Sequence, residues 1–342
     1  MVRKIILGYL VFSIFSLKAI CQEDSVYLYN GQILIGEVQR VNLGELTIDD
    51  LDMKMTSVKL YKIKILKIFH SFKIETIDRK LLYGRMQTLD KQGWVDIFPD
   101  TGRAVFSIPI TNLFYMVSLE KNFFKRLTGN LSAGLSFTKS SNIGQVNLSA
   151  SVMFATKSWA YQLSFSELGS IDSGRYTRDN ESAQFFTSYD LSATWFLAGY
   201  LQYQRNLELS ISRRYSEMFG GGNKLFIRKD WQLLGISGVS FSQEKSTEGI
   251  YSGLLVEVPF MLRFNYYHPR HPDLQISTSQ TAYFSLSEAG RVRVDGSTNF
   301  SWQIIRYFYL TLTPYTNFDS KPPSLSASKF DYGIVFGITY KF

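Results

Sequence analysis

The chain ends in FDYGIVFGITYKF, residues Phe330 to Phe342, and the reading of that stretch decides the fold. Tyr332, Ile334, Phe336, Ile338, Tyr340 and Phe342 are apolar at every second position, while Gly333, Gly337, Thr339 and Lys341 fill places between them. A period of two predicts a strand whose faces meet different surroundings. The run is about twice as long as the five or six residues usual in a soluble sheet. It matches the roughly 9–11 residues of a tilted strand that crosses a bilayer.

The same grammar extends back to Gly129. Leu131, Ala133, Leu135 and Phe137 interleave with Asn130, Ser132, Gly134 and Ser136; Val146 to Phe154 and Trp159 to Phe165 repeat the pattern. Further strands are expected near 183–195, 197–206, 213–228, 231–244, 252–267, 274–286, 292–304, 307–318 and 330–342. Twelve strands is an even number, as single-chain bacterial barrels require. Minimal turns are expected at Thr156-Lys157, Phe196, Lys229-Asp230 and Ile305-Arg306, and longer polar links at 167–182, 245–251 and 319–329. The inter-strand faces are rich in Ser, Asn and Gln, which suits a wet lumen. Tyr200, Gln202, Gln204, Tyr307, Tyr309 and Tyr315 are placed on that inner wall.

Composition narrows the class. Of 342 residues, 45% are apolar, 19% charged and 15% aromatic, with a mean hydropathy of −0.06. That excludes disorder and a polytopic helical membrane protein. One Cys and three His leave no material for a disulfide framework, a zinc cluster or an iron–sulfur site. No organic cofactor or metal is indicated. Arg3 and Lys4 precede the apolar run Ile5 to Leu17, and Ala19-Ile20-Cys21 offers small residues for cleavage before Gln22. This order is that of a secretory signal peptide over residues 1–21. A lipoprotein with Cys21 as the modified residue is the rival, opposed by Lys18 and Ile20. Cleavage would remove Arg3, Lys4 and Lys18 from a formal net charge of +8.

Residues 22–121 read differently, as short strands broken by turn residues such as Asn30-Gly31. Ile35-Gly36-Glu37-Val38 aligns with Tyr83-Gly84-Arg85-Met86, Leu46 with Trp94, and Val58 and Leu60 with Phe106 and Ile108. A period of about 48 residues predicts a tandem pair of small SH3-like or Sm-like β modules. Lys59, Lys62, Lys64 and Lys67 alternate with Leu60, Ile63, Ile65, Leu66 and Ile68. With Asp49, Asp50 and Asp52 just upstream, they are read as the wet face of a strand rather than a nucleic-acid surface.

Arg213-Arg214-Tyr215 through Gly220-Gly221-Gly222, then Leu233 to Gly238 and Glu244, resemble the core of the YdiY-like salt-induced outer-membrane protein family. Asp319-Ser320-Lys321-Pro322-Pro323, Asp331 and the closing Tyr340-Lys341-Phe342 resemble that family's last hairpin. The resemblance covers about residues 129–342 and implies an outer-membrane barrel without a settled activity. Phe336, Ile338, Tyr340 and Phe342 also resemble the terminal signal read by the barrel-assembly machinery, a transient partner.

The expectation is therefore all-β: a twelve-stranded antiparallel transmembrane barrel at 129–342 in the outer membrane of a Gram-negative cell, with the module at 22–121 in the periplasm. Its lipid contacts are outer-membrane lipid; the partner of the module is not specified by any residue set. Passive permeation or envelope scaffolding fits without catalysis. A lipase-like hydrolase is the alternative, but it would need a Ser–His system. His268 and His271 fall in a Pro-rich turn, and His70 lies beside Ser71 in an apolar and basic strand. A secreted soluble β-barrel binder is a third reading, opposed by strand length and the terminal Phe.

Overall fold

The computed structural model of the chain describes residues 23–342, apart from 43, 103, 120–126, 139–142, 173, 269–272, 306, 325–326 and 342. Cys21, Gln22, His271 and Phe342 lie outside the described residues.

Alternating burial produces nine short antiparallel strands first: β1 Asp24–Leu28, β2 Ile33–Asn42, β3 Glu45–Asp50, β4 Lys54–Lys59, β5 Ile63–Thr76, β6 Leu81–Gln87, β7 Trp94–Pro99, β8 Phe106–Pro109 and β9 Leu113–Ser118. They lie in the order β4-β3-β2-β1-β5-β6-β7-β8, and β9 pairs with both β2 and β5. Strands β1, β2, β9 and β5 thus close a four-stranded ring. One apolar core, including Val26, Val38, Leu46, Ile68, Phe72, Met86 and Ile97, fills it from both halves of the segment.

The repeat is visible in the registers. Asp24 pairs with Gly36 and Val26 with Leu34; Phe72 pairs with Gly84 and Ile74 with Leu82, each 48 residues on. A Cβ on Gly36 would lie 2.0 Å from the carbonyl oxygen of Asp49, and one on Gly84 would lie 2.1 Å from that of Phe98. Both copies therefore need glycine for the same close backbone approach. The offset then drifts. Leu46 pairs with Val58 as Val95 pairs with Ile108, and the single 3-10 turns begin at Leu60 and Ile110. Leu46 corresponds to Val95 rather than Trp94, and Val58 and Leu60 to Ile108 and Ile110, because the turns of the second copy absorb extra residues. The copies do not form two separate barrels. Strand β5 is shared, pairing with β1 through Ser25–Lys67 to Leu28–Ile63 and taking the β1 position against β6 through Phe72 to Glu75.

The remaining strands are long: β10 Leu127–Thr138, β11 Ile143–Ala155, β12 Trp159–Asp172, β13 Arg175–Asp190, β14 Trp195–Asn206, β15 Ile211–Ile227, β16 Trp231–Ser246, β17 Leu255–His268, β18 Leu274–Ser285, β19 Val292–Ile305, β20 Phe308–Asp319 and β21 Phe330–Lys341. Each pairs antiparallel with its sequence neighbour, and β21 returns to β10 to close a twelve-stranded barrel. The outer face carries Leu135, Leu163, Leu201, Phe219, Phe260 and Ile334. Phe336, Ile338 and Tyr340 stand 61%, 55% and 42% exposed on it, whereas Thr339 between them is buried inside.

Two expected boundaries are corrected. Residues 167–182 are not a loop: β12 and β13 continue through them as far as the Asp172–Arg175 pair, and Gly174 has φ +82°. Polar residues there occupy both faces and hide the period, while the backbone ladder runs on past the apolar band. Phe196 is not a turn; it is an inward, buried residue of β14, and the reversal lies at 191–194. At one end of the barrel the strands are joined at 156–158, 191–194 and 228–230, between His268 and Leu274, and between Ile305 and Phe308; the opposite end carries short joins between Asp172 and Arg175 and at 207–210 as well as the longer 247–254, 286–291 and the stretch between Asp319 and Phe330.

Gly36→Ala and Gly84→Ala each force a backbone shift of the kind that overpacking imposes, with an expected loss of about 1–3 kcal/mol. Amide hydrogen exchange in β2–β3 and β6–β7 of the full chain should rise in the respective variants and stay unchanged in β10–β21. Exchange that rises in neither hairpin would contradict the close approach.

Candidate functional site

The short-turn end of the barrel is where the two parts of the chain meet. Residues Lys73 and Glu75 are two apart on β5, so their side chains share one face. They meet Asp190 at the end of β13 and Lys224 on β15. Lys224 Nζ lies 2.8 Å from Glu75 and 3.6 Å from Asp190; Lys73 Nζ bonds Asp190 and lies 3.7 Å from Glu75. Two cations and two anions alternate around a closed ring, and each of the four side chains is at most 12% exposed. Each charge has two opposite neighbours, an arrangement that offsets the cost of taking four ions out of water.

Other contacts continue around the rim. Arg40 Nη1 donates to the carbonyl of Leu127 at 2.9 Å, and Lys59 reaches Asp273 as well as Glu45 at 2.5 Å. The Tyr83 hydroxyl donates to the Lys157 carbonyl, and Lys157 Nζ sits 4.8 Å over the Tyr83 ring. Phe114, Ile77 and Tyr115 pack against Ile227 and Tyr267. The module therefore touches the start of β10, the β11–β12 turn, the ends of β13, β15 and β17, and the entries to β18 and β20. Its contacts are spread around the mouth from β10 to β20.

Above the mouth, side chains bond across the lumen. The Tyr200 hydroxyl on β14 donates to that of Tyr283 on β18 at 3.2 Å. Arg214 on β15 contacts Glu244 at 2.5 Å and Asp319, on β20, at 3.3 Å. Arg291 joins the same two carboxylates at 2.7 and 2.6 Å, and Arg293 meets Glu257 at 2.5 Å. Asn206 donates to Asp331 at 2.7 Å. An apolar group on one wall, Phe186, Phe196, Tyr200, Met218, Ile236 and Met261, fills the space beside them. The wall of β10–β12 differs. Its inward row Ser132, Ser149, Ser166 and Ser182 is small and polar, and Ser149 and Ser166 are exposed, as is inward Ser277 on β18.

The residues expected on the inner wall distribute as follows. Tyr200, Gln204 and Tyr309 are inward and buried; Gln202 and Tyr315 are inward and half-buried, Gln202 donating to Ser182. Tyr307 is elsewhere. It sits in the β19–β20 turn with φ +69°, and its hydroxyl donates to the Met55 carbonyl at 2.8 Å. The turn shifts it out of the strand register and onto the module. His70 faces Asp24 at 3.2 Å and the Val38 carbonyl, while the neighbouring Ser71 hydroxyl donates to Asp100, so no Ser–His pair forms there. The charged residues of the lumen escaped the sequence reading. Their signal was present, since Arg214, Glu244, Glu257, Arg293 and Asp319 all fall on the polar parity of their strands.

Residues 131–342 match the family described as "Protein of unknown function, DUF481". The chain belongs to that family. Among solved structures, a bacterial polysaccharide outer membrane secretin covers 63% of this chain and 97% of its own at 9% identity and TM-score 0.34. The β domain of the Bordetella autotransporter BrkA covers the same shares at 11% and 0.32. The translocator domain of the autotransporter NalP from Neisseria meningitidis covers 63% and 87% at 8% and 0.35. Likenesses this weak say nothing of what this DUF481 chain binds or passes. Comparison with curated proteins yields no match.

The rim contacts make two predictions. Glu75→Ala removes one member of the ring and leaves Lys73 and Lys224 sharing Asp190, with an expected cost of about 3–5 kcal/mol to docking. Faster amide exchange at 191–194 and 228–230 is the readout, and reversal of all four charges together (Lys73→Glu, Glu75→Lys, Asp190→Lys and Lys224→Glu), which keeps the alternation, should restore protection. Lys59 responds to pH. Burial pulls its pKa down, but Glu45 and Asp273 outweigh that and hold it above the ordinary 10.5. A lysine raised in the folded state contributes stability that is complete below its unfolded value and lost as pH rises through the folded one. The Lys59 contact should therefore be unchanged from pH 6 to 9 and weaken only above about 10.4, measured as loss of exchange protection at β3–β4 in alkaline buffer.

Proposed function

We propose that this chain is an outer-membrane barrel of a Gram-negative cell that carries its own stopper, with the β1–β9 module held at the periplasmic mouth. The observation that carries the reading is the ring of contacts from the module to the rim, with the four-charge ring of Lys73, Glu75, Asp190 and Lys224 at its centre. The apolar outer band supports lipid as its surroundings, because so many exposed Leu, Phe and Ile side chains on one closed surface have no place in water. Short turns face the periplasm in such barrels, which supports the periplasmic side for the module.

Its role is restricted passive permeation. Twelve strands enclose more room than eight and less than the sixteen of open porins. The upper lumen is crossed by the Arg–carboxylate bonds, and the small serines of β10–β12 leave the wet side. With the module seated, the barrel is closed; with it displaced, small polar solutes pass along the serine wall. No catalytic step is assigned. The contact between module and barrel makes the chain its own partner, and barrel-assembly machinery acts on it only during insertion.

Two measurements test this. Cells expressing the chain should yield it in the outer-membrane fraction with heat-modifiable gel migration, and deletion of Phe342 should reduce its assembly. In planar bilayers the full chain should be silent, and Lys73→Glu with Lys224→Glu, which gathers four carboxylates in one place, should produce discrete conductance steps. Equal conductance of both proteins would sink the stopper; recovery of a water-soluble periplasmic product would sink the barrel.

A further inference from the structure

Among the described residues, four arginines reach into the lumen and differ in one respect. Arg214, Arg291 and Arg293 are each bound by carboxylates. Arg263, on β17, is not. Its inward direction follows from the register, since Met261 and Tyr267 of the same parity are buried and Phe260 and Leu262 are exposed outside. Among the described residues no carboxylate or hydrogen-bond acceptor meets its guanidinium. Its central carbon lies 4.4 Å over the ring of Phe186 on β13, four strands away, so the side chain extends across the lumen.

The surroundings add to the asymmetry. Arg263 pairs across the sheet with Ser279, and the next inward residues are Asn265 and Ser277, of which Ser277 is open to the lumen. Neutral hydroxyl and amide groups line the wet side, and none supplies a counter-charge. Arg263 is half-buried, so solvent reaches it, but a cation drawn partly out of bulk water gains from an anion or several acceptors. An aromatic face provides only part of that, about 0.5–2 kcal/mol. The other arginines show that this lumen supplies carboxylates where a permanent pair is required. At Arg263 the acceptor is left to come from solution.

We propose that Arg263 is the binding site for one small anion inside the barrel, a halide or a single carboxylate group, and that it biases whatever crosses the lumen toward anions. The choice of a small anion follows from the neighbours: the Phe186 ring lies against the guanidinium, and Ser279, Asn265 and Ser277 of the adjoining inward rows offer hydrogen-bond donors. This inference deepens the permeation reading, but occupancy of the site does not require the module to leave.

Crystals of the full chain soaked in sodium bromide give the direct test. An anomalous peak in contact with the Arg263 guanidinium is expected, lost in Arg263→Gln and kept in Arg263→Lys, with heat-modifiable migration showing that each variant is folded. No peak there while bromide is ordered elsewhere, or a peak unchanged in Arg263→Gln, would overturn the site. Selectivity is read separately in the Lys73→Glu, Lys224→Glu background under a tenfold potassium chloride gradient. The reversal potential should favour chloride, and adding Arg263→Gln should move it toward zero or past it; an unmoved potential would remove the bias. A silent double variant with a bromide peak would reject the stopper and keep the anion site, and conductance without the peak would do the reverse.

Discussion

Everything in the barrel depends on one seam. Among the described residues, strand β21 meets β10 through Asn130–Lys341, Leu131–Tyr340, Ser132–Thr339 and Ala133–Ile338, whereas the neighbouring β20–β21 ladder runs without interruption from Phe308–Tyr340 to Phe318–Phe330. In hydrocarbon an unpaired backbone group costs several kcal/mol, so a barrel that did not close there would not span. Where the ladder stops, a side chain takes over: Asn147 Nδ2, inward on β11, donates to the Phe336 carbonyl at 3.1 Å. Gly134 lies in the same place, and a Cβ on it would be 2.3 Å from that carbonyl. The last described residues of β21 thus close the sheet.

Closure sets what the rest of the sequence can do. Once no edge is left, outward positions are free to be apolar, and inward positions are free to hold chemistry that a soluble core would not tolerate. Arg214, Glu244, Arg291 and Asp319 form a network because the strands that carry them are held at fixed spacing around the ring. The module faces a different constraint. Its sheet keeps two open edges, β4 and β8, and it obtains rigidity from the β1-β2-β9-β5 ring and from the mouth beneath it.

Much of this was legible because a period of two survives wherever one face meets lipid and the other a wet lumen. It failed where that contrast fades. At 167–182 the strands rise beyond the apolar band, so Glu167, Arg178 and Glu181 look like loop residues although they are paired, and Asp179 marks a bulge between them. The repeat was legible through Gly36 and Gly84, whose backbone demand is local, and blurred at Leu46 and Val95, where turn length shifts the count. The rim was beyond reach. Lys73 and Asp190 are 117 residues apart, and Lys224 and Glu75 are 149 apart. Each alone reads as a solvated strand charge, and only a folded chain shows that they bury one another.

The same reasoning ranks the charges that remain. A buried charge with a partner in the chain supports structure, and its removal is felt as lost stability. Lys73, Glu75, Arg214 and Arg293 are of this kind. Inward Arg263 satisfies no neighbour's charge, and apart from the Phe186 ring it packs on, the fold gains nothing obvious from its keeping a guanidinium. A glutamine or methionine of similar length would cover Phe186 as well without the cost of a partly desolvated cation. A position where the fold pays without visible structural return is where a solute supplies the missing interaction, so Arg263 belongs to what the lumen admits and the rim belongs to when it admits it.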